Sequence, residues 1–206
     1  MAEAVSPGVG WIAESERRNV RVIAGKFRSR RLKGPGMLRI RPTSDRLRET
    51  LFNILGPEVK DSLFIDLYAG TGAIGIEAFS RGAREVILVE SEPKAARLIR
   101  ENLSALGIRA GVELIAADVE KGLEKIASRH LMADFIFLDP PYEQTEEHFS
   151  TLEILDSSHL IAPQGVVIVE HWSGMEVPER LARLECTREL EQGEATLSFY
   201  RLAAAA

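Results

Sequence analysis

The fold is decided by the stretch Leu63-Phe64-Ile65-Asp66-Leu67-Tyr68-Ala69-Gly70-Thr71-Gly72-Ala73-Ile74-Gly75. Its apolar start is typical of a buried strand, and a helical pattern follows the glycines as far as Arg81. Glycines at a strand-to-helix turn let the backbone approach a ligand closely, and the helix N-terminus offers free N–H groups. Gly70, Gly72 and Gly75 match the pattern G-x-G-x-x-G, so the turn predicts a ligand site.

Strand and helix patterns alternate from this turn to residue 170. Near-continuous apolar strands are predicted at 86–90, 112–116, 134–138 and 165–170, with helices at 93–107, 119–128 and 146–157. Strands of this kind, separated by helices, form a parallel sheet that helices cover on both faces. Strand patterns at 184–191 and 195–202 predict an antiparallel C-terminal hairpin. The predicted fold class is α/β, with a Rossmann-like, doubly wound, mostly parallel sheet.

The N-terminal part predicts a small β-hairpin extension. β-prone runs at 20–24 and 37–40 enclose a basic middle, and Ser44 is the predicted N-cap of a helix that ends at Leu55 before Gly56-Pro57. We therefore expect four parts in the chain. They are a flexible tail over 1–19, a basic hairpin and helix over 20–56, the main domain over 57–202 and a tail over 203–206.

Positive charge is concentrated in one part of this acidic chain. The net charge is −5, yet residues 21–48 contain ten Lys or Arg and one acid, Asp45. That window therefore carries +9 and the remainder of the chain carries −14. Clustered positive charge on an acidic body suggests that one face binds a polyanion, while a solvated basic strand pair without a partner is the alternative.

Composition excludes several classes of protein. The chain has 206 residues, 45% of them hydrophobic, and a single cysteine, Cys186. One cysteine excludes an internal disulfide framework and a cysteine-based zinc site, and the four histidines lack metal-ligand spacing, so no metal is expected. No apolar run approaches the roughly 20 residues that cross a bilayer, and no signal-peptide pattern is present. We expect a cytoplasmic protein without a membrane partner, and a monomer because nothing in the sequence demands a dimer.

Acidic residues lie at or just after the carboxyl ends of the first three predicted strands of the main domain. Glu90 lies 20 residues after Gly70, where a carboxylate accepts hydrogen bonds from ribose hydroxyls, so an NAD-dependent oxidoreductase is one interpretation. Asp66 argues against it, because its carboxylate would repel a pyrophosphate. S-adenosylmethionine carries a sulfonium and an ammonium group and suits these charges better. Asp118 would then accept from the adenine amino group, unless it is a plain helix N-cap.

The tetrad Asp139-Pro140-Pro141-Tyr142 directly follows the fourth predicted strand. The carboxyl ends of parallel strands line one ligand crevice, so the tetrad opens onto the crevice of Asp66 and Glu90. A nucleobase amino group is a poor nucleophile because its lone pair is delocalised into the ring. A carboxylate and a backbone carbonyl that accept its two N–H groups would aim that lone pair, and Tyr142 offers a face for base stacking.

These motifs resemble the Rossmann-like, S-adenosylmethionine-dependent amino-group N-methyltransferases, and more closely the bacterial RsmD family. The tetrad resembles the amino-methylating motif of that class, and residues 66–72 resemble its first cofactor motif. The similarity to the RsmD family rests on RVIAGKFRSRRL at 21–32 and RPTSDRLRETLFN at 41–53, and it extends from about residue 21 to 171, more loosely to 201. Members of this family methylate the N2 amino group of one guanine in small-subunit ribosomal RNA.

The resemblance implies a role for each matching residue. Asp139 and Pro140 would hold the guanine amino group, and Tyr142 would stack on the base. The cofactor, S-adenosylmethionine, would be held by Asp66, Tyr68, Gly70, Gly72, Glu90 and Asp118, with Arg41 and Thr43 closing over its methionine end. RNA phosphates would be bound by Lys26, Arg28, Arg30, Arg31 and Lys33. The implied partner is small-subunit rRNA, either naked or in an assembled small subunit.

Several alternatives remain open at the level of sequence. A DNA adenine or cytosine amino methylase has the same tetrad. A protein glutamine methylase also shares it, although a side-chain amide does not call for a basic nucleic-acid arm. Outside the class, the alternatives are the NAD-dependent oxidoreductase and a non-catalytic RNA-binding factor that keeps the fold.

Overall fold

The computed structural model of the chain describes residues 20–34, 36, 43–140 and 145–204. Its strands are β1 (Val20–Arg21), β2 (Arg31–Leu32), β3 (Leu63–Asp66), β4 (Glu85–Val89), β5 (Val112–Ile115), β6 (Ala133–Leu138), β7 (Ile161–Trp172), β8 (Leu184–Gln192) and β9 (Ala195–Leu202). Its helices are α1 (Asp45–Leu55), α2 (Ala73–Ser80), α3 (Pro93–Leu106), α4 (Val119–Ala127) and α5 (Thr145–Ser157). The predicted tail over 1–19 and residues 205–206 of the predicted tail over 203–206 lie outside the described residues, whereas the Ala203 amide donates to the Arg183 carbonyl at 2.7 Å.

The main sheet has seven strands in the order β5-β4-β3-β6-β7-β9-β8. Strands β3 to β7 pair in parallel, whereas β9 pairs antiparallel with both β7 and β8. The predicted α/β class with an antiparallel C-terminal hairpin is confirmed. From β3 the chain first adds strands on one side and then returns to add β6 on the other. A crevice forms at such a reversal, at the carboxyl ends of the strands.

Helices cover both faces of this sheet. The first face carries α1, α2 and α3, whose apolar residues pack on strand side chains such as Phe64, Leu88 and Phe137. The second face carries α4 and α5, which pack on the alternate set, such as Ile65, Val89 and Leu138. Side chains of a strand alternate between faces, so the face of each residue can be read from its strand position.

Local signals at the helix ends agree with the structure. The Ser44 hydroxyl accepts a hydrogen bond from the Leu47 amide at 3.1 Å, which is the predicted N-cap of α1. Helix α3 begins at Pro93 and ends before Gly107, which adopts a positive φ of 70°. Strand β7 begins at residue 161, four residues earlier than predicted, and its register shifts before Val166. Pro163 and Gln164 interrupt its apolar run, so the predicted strand begins only after them, at Gly165.

The N-terminal hairpin pairs differently from the prediction. Val20 pairs with Leu32 and Arg21 with Arg31, so the basic middle that was predicted as the turn supplies the second strand. The predicted partner run at 37–40 lies outside the described residues. A single helical turn at Gly25–Phe27 reverses the chain direction before the predicted partner run is reached. This turn presses on α2 so closely that a Cβ on Gly25 would lie 1.9 Å from the Ser80 carbonyl oxygen.

Residues 20–34, hereafter the basic segment, dock on α2 and α3. The buried Glu77 carboxylate of α2 accepts the amides of Ile23 and Ala24 at 2.7 and 2.9 Å. The Ser80 hydroxyl accepts the Phe27 amide at 2.9 Å. Apolar side chains of the segment pack with α2 and the end of α3 in a small core of their own. The basic segment is therefore held in a fixed place on the first face.

No helix in the described ranges is both long enough and apolar enough to cross a membrane. Within the same ranges, His, Cys, Asp and Glu side chains form no group of three that is arranged to bind a metal ion.

Candidate active site

A glycine loop, residues 67–72, crosses the carboxyl ends of the central strands. The Leu67 amide donates to the Phe137 carbonyl of β6, and the Ala69 amide donates to the Val89 carbonyl of β4, each at 2.9 Å. Gly72 then precedes α2 with a positive φ of 78°, a conformation that side chains with a Cβ rarely adopt. The loop therefore lies at the reversal point of the sheet, where the sequence predicts the ligand.

Two carboxylates on the first face hold the start of α2 and the glycine loop. Oδ2 of Asp66, at the end of β3, accepts the Gly75 amide in the first turn of α2 at 3.1 Å. Oε2 of Glu90, after β4, accepts the Gly70 amide at 2.7 Å, and its Oε1 accepts the Glu92 amide at 2.7 Å. Amides that would bind a pyrophosphate are thus paired with negative groups. The loop suits a ligand that is positively charged beside it.

Burial perturbs both of these carboxylates. Asp66 is 2% exposed, and burial raises its pKa to about 7, against the hydrogen bond from Gly75 and with help from the negative charge of Glu90. Burial likewise raises the pKa of Glu90, while amide hydrogen bonds from Glu92 and Gly70 oppose the rise. A cation placed between the two groups would favour their ionised forms. The electrostatics of the crevice therefore favour a cationic ligand over an anionic one.

Gly75 allows α2 to pack tightly behind the loop. A Cβ at this position would lie 2.2 Å from Leu88 Cδ2 and 2.9 Å from Val86 Cγ1, both on β4. The third glycine of the motif is therefore required for packing of helix on strand, and the loop geometry depends on that packing.

Asn102 of α3 links the glycine loop to the basic segment. Its Nδ2 donates to the Thr71 carbonyl of the loop at 3.0 Å and to the Lys33 carbonyl at 3.2 Å, and its Oδ1 accepts the Lys33 amide at 2.7 Å. Asn102 is 1% exposed. Sequence reasoning missed this residue, although a readable signal was present: a polar residue at a helix position whose i−3 and i+4 neighbours, Ile99 and Leu106, are apolar.

The tetrad begins beside this loop. Strand β6 lies next to β3, with Phe137 opposite Asp66, and ends one residue before Asp139. Alternation along β6 places Asp139 on the same face as Phe137, the first face. Asp139 is half-buried and Pro140 is buried. Tyr142 lies outside the described residues. The structure therefore brings Asp66, Glu90 and Asp139 to one end of the sheet on one face, as predicted.

Comparison with known proteins assigns the chain to a family. The family model described as "Conserved hypothetical protein 95" matches residues 20–201. This chain belongs to that family. The "Putative rRNA methyltransferase YlbH" of Bacillus subtilis (strain 168) is 33% identical over 182 residues, which cover 88% of this chain and 98% of that protein. The "Ribosomal RNA small subunit methyltransferase D" of Escherichia coli (strain K12) is 31% identical over 184 residues, which cover 88% of this chain and 89% of that protein.

A solved structure of similar shape supports the same assignment. The structure described as "Putative methyltransferase yhhF from Escherichia coli" superimposes with a TM-score of 0.76 at 27% sequence identity and covers 91% of this chain and 99% of that one. The resemblance of the sequence to the RsmD family of Rossmann-like methyltransferases is therefore confirmed.

Glu170 of this chain is a further acidic residue near the crevice, and the sequence analysis did not single it out. It follows Val169, which pairs with Leu138, so Glu170 and Asp139 lie at neighbouring positions of β7 and β6. Glu170 is 4% exposed, and its Oε2 accepts the Thr43 hydroxyl at 3.1 Å. The segment that leads into α1 is thus fixed beside the tetrad. Thr43 is therefore near the crevice, whereas Arg41 lies outside the described residues.

Two predicted cofactor residues have structural partners. The Tyr68 hydroxyl lies 2.8 Å from the Thr151 hydroxyl of α5, so its side chain is directed to the second face, and burial raises its pKa to about 12. Asp118 caps α4 by accepting the Lys121 amide at 3.0 Å, and it also pairs with the Lys121 ammonium at 2.6 Å. This is the N-cap geometry that the sequence left as an alternative. Cofactor contacts of both residues stay predictions.

All five predicted phosphate-binding residues are exposed on the basic segment, namely Lys26, Arg28, Arg30, Arg31 and Lys33. Two of them contact α3, since Arg30 Nη2 donates to the Ala105 carbonyl at 3.1 Å and Lys33 pairs with Glu101 at 2.9 Å. The remaining surface of the segment presents positive charge to solvent.

Proposed function

We propose that this chain is an S-adenosylmethionine-dependent methyltransferase of small-subunit rRNA and that it methylates the exocyclic N2 amino group of a guanine. The chain would act as a monomer, because the proposed cofactor and base sites are both built within one chain. It would act in the cytoplasm, because its proposed substrate is rRNA. The support comes from the crevice, from family membership, and from relatives whose names describe rRNA methyltransferases.

The observation that carries this proposal is the pairing of Glu90 with the glycine loop and of Asp66 with the first turn of α2. The Asp66 carboxylate lies near the place where an NAD-type pyrophosphate would bind and would repel it, and the two carboxylates together favour a cation instead. Glu90 can in addition accept from ribose hydroxyls, as carboxylates after the second strand do in nucleotide-binding sheets. The residues present therefore fit S-adenosylmethionine, which when bound supplies a methyl group on positively charged sulfur.

The chemical task of the chain is to aim an amino lone pair. In the proposed mechanism the Asp139 carboxylate accepts one N–H of the guanine amino group, and the Pro140 carbonyl accepts the other. Pro140 has a fixed φ and is buried, so its carbonyl is held in place. Asp139 can also take the proton that the methylated amine releases. Positioning of this kind is the main requirement for in-line transfer.

The decisive experiment offers labelled S-adenosylmethionine with three substrates in parallel: naked small-subunit rRNA, assembled small subunits that lack the modification, and unmethylated DNA. Nucleoside mass spectrometry identifies the product. We expect N2-methylguanosine from one or both RNA samples. Methylated adenine or cytosine in DNA would overturn the substrate, and binding of NAD instead of S-adenosylmethionine would overturn the cofactor.

A further inference from the structure

Helix α3 carries an exposed row of cations that none of the predicted roles uses. Lys94, Arg97 and Arg100 are all exposed. The single acid within the helix, Glu101, pairs with Lys33 of the basic segment, and this contact lowers the pKa of the Glu101 carboxyl. Lys94, Arg97 and Glu101 follow the i, i+3, i+7 spacing of one helix face. The outer surface of α3 is therefore positively charged from Lys94 to Arg100, and beyond it Lys33 of the basic segment offsets the charge of Glu101.

This row lies on the same helix that the basic segment contacts. Arg30 contacts the carbonyl of Ala105 near the end of α3, and Lys33 contacts Glu101 one turn earlier. The next turns towards the start of the helix present Arg97 with Arg100, and then Lys94. From residue 105 to residue 94 the helix rises roughly 16 Å. Because Asn102 bonds the Lys33 backbone, the relative placement of the two cationic surfaces is fixed.

The row also leads towards the crevice. Helix α3 begins at Pro93, three residues after Glu90, whose carboxylate holds the glycine loop. Lys94 is therefore close to the carboxyl end of β4, whereas Arg30 marks the far end of the row. The helices of the second face differ, since α5 contains four acids and no Lys or Arg, and α4 contains two acids and two lysines.

We propose that Lys94, Arg97 and Arg100 join the basic segment in one continuous track for the RNA backbone, which leads the substrate strand along α3 to the crevice. This inference rests on the proposed function, because RNA is the polyanion it names. Exposed cations of this kind bind phosphates and set the position of a nucleic acid without reading its sequence. The track therefore orients the RNA, and the base is selected elsewhere.

The test neutralises the middle of the track in the full chain. The double variant Arg97→Gln/Arg100→Gln is compared with Lys60→Gln/Arg84→Gln, which removes the same charge from exposed residues before β3 and β4, at the opposite end of the sheet. RNA affinity is measured by fluorescence anisotropy over a series of salt concentrations. Loss of two phosphate contacts should lower the slope of log affinity against log salt by about 1.4 to 1.8, with several-fold weaker binding.

A third variant, Arg97→Lys/Arg100→Lys, keeps the charge and should keep the wild-type slope. Melting temperature and S-adenosylmethionine affinity should stay unchanged in all variants, because these side chains lie outside the crevice. Equal slopes for the α3 variant and the opposite-end variant would overturn the track. Wild-type protein that neither binds nor methylates RNA would overturn the proposed function instead, so the two failures are distinguishable.

Discussion

The two helical layers of the molecule both pack apolar side chains on the sheet, but they bury different polar groups. Each covers its side of the sheet with fully buried apolar side chains, as Leu51 and Ile99 do on the first face and Ile126 and Leu155 on the second. On the first face, buried polar groups connect elements that are distant in sequence around the crevice. On the second face, the buried Asp156 accepts the amides of Arg183 and Leu184 at 2.7 Å, away from the glycine loop.

This difference separates stability from function within one sheet. Apolar burial stabilises both layers, but it is non-directional and does not determine which ligand binds. The carboxylates Asp66, Glu90 and Asp139, together with the basic segment, are all on the first face. Substitutions of these first-face groups should therefore change binding and turnover, whereas matched substitutions in the apolar core of the second face or at the amino end of the sheet should change stability at most.

The largest effect is expected for Asp139→Asn. The amide loses the negative charge and one acceptor site that aim the substrate amino group, so kcat should fall by about 10²- to 10⁴-fold while cofactor affinity stays within a few-fold. The matched change Asp134→Asn lies at the amino end of the same strand, where its side chain accepts the Leu63 amide at 2.8 Å. This control should keep near-wild-type turnover in the methyl-transfer assay. Equal losses in both variants would remove the catalytic role of Asp139.

The next effect is a pH dependence centred on Asp66. A carboxyl whose pKa is raised from its ordinary range to about 7 stabilises the cofactor-free fold below pH ~4 and loses that contribution as the pH rises to 7. In urea unfolding, the free energy of unfolding should therefore fall by at most about 4 kcal/mol as the pH rises through this range. The variant Asp66→Asn should lose most of this pH dependence. Cofactor affinity should change in the opposite direction, rising up to about tenfold per pH unit below 7, since a cation requires ionised Asp66. A flat binding profile in the wild-type protein would contradict this electrostatic role.

A pair of substitutions compares the two faces directly, because on each face a glycine of a helix packs against β4. A Cβ on Gly75 of α2 would meet Leu88 at 2.2 Å, and a Cβ on Gly122 of α4 would meet Val89 at 2.6 Å. Gly75→Ala and Gly122→Ala should each lower the free energy of unfolding by about 1–3 kcal/mol, measured by urea titration. Gly75→Ala alone should weaken cofactor binding, because α2 follows directly from the glycine loop. Equal loss of affinity in both would contradict the separation of the faces.

The smallest effect is expected for Tyr68→Phe. Removal of the hydroxyl breaks the contact with Thr151 and should lower the free energy of unfolding by about 0.5–1.5 kcal/mol. If the contribution of Tyr68 is to fix α5, cofactor affinity measured by calorimetry stays unchanged. A large drop in affinity without a drop in melting temperature would assign the hydroxyl to the cofactor instead.

Most of the fold and the centre of the site could be predicted from the sequence, since both depend on local patterns. Strand and helix alternation gave the sheet, and Asp66, Glu90 and Asp139 were predicted to meet because each follows a parallel strand. Glu170 was missed for a topological reason: its run was predicted to be a strand, but strand order decides whether it lies beside β6. The hairpin partner was missed because tertiary contact of Gly25 with α2, which has no local signal, sets the turn.

Glu77 has a consequence for how this chain can be divided. Its buried carboxylate is neutralised by the amides of Ile23 and Ala24 and by the Arg81 guanidinium at 2.7 Å. A shortened chain that begins at Pro57 would leave a charged group on α2 without two of its three donors, and Asn102 without Lys33. Conversely, two strands of two residues each are too short to persist alone. The basic segment and the sheet with its helices are thus expected to fold as a single unit, and a chain cut at the boundary that the sequence suggests should be less stable than the full chain.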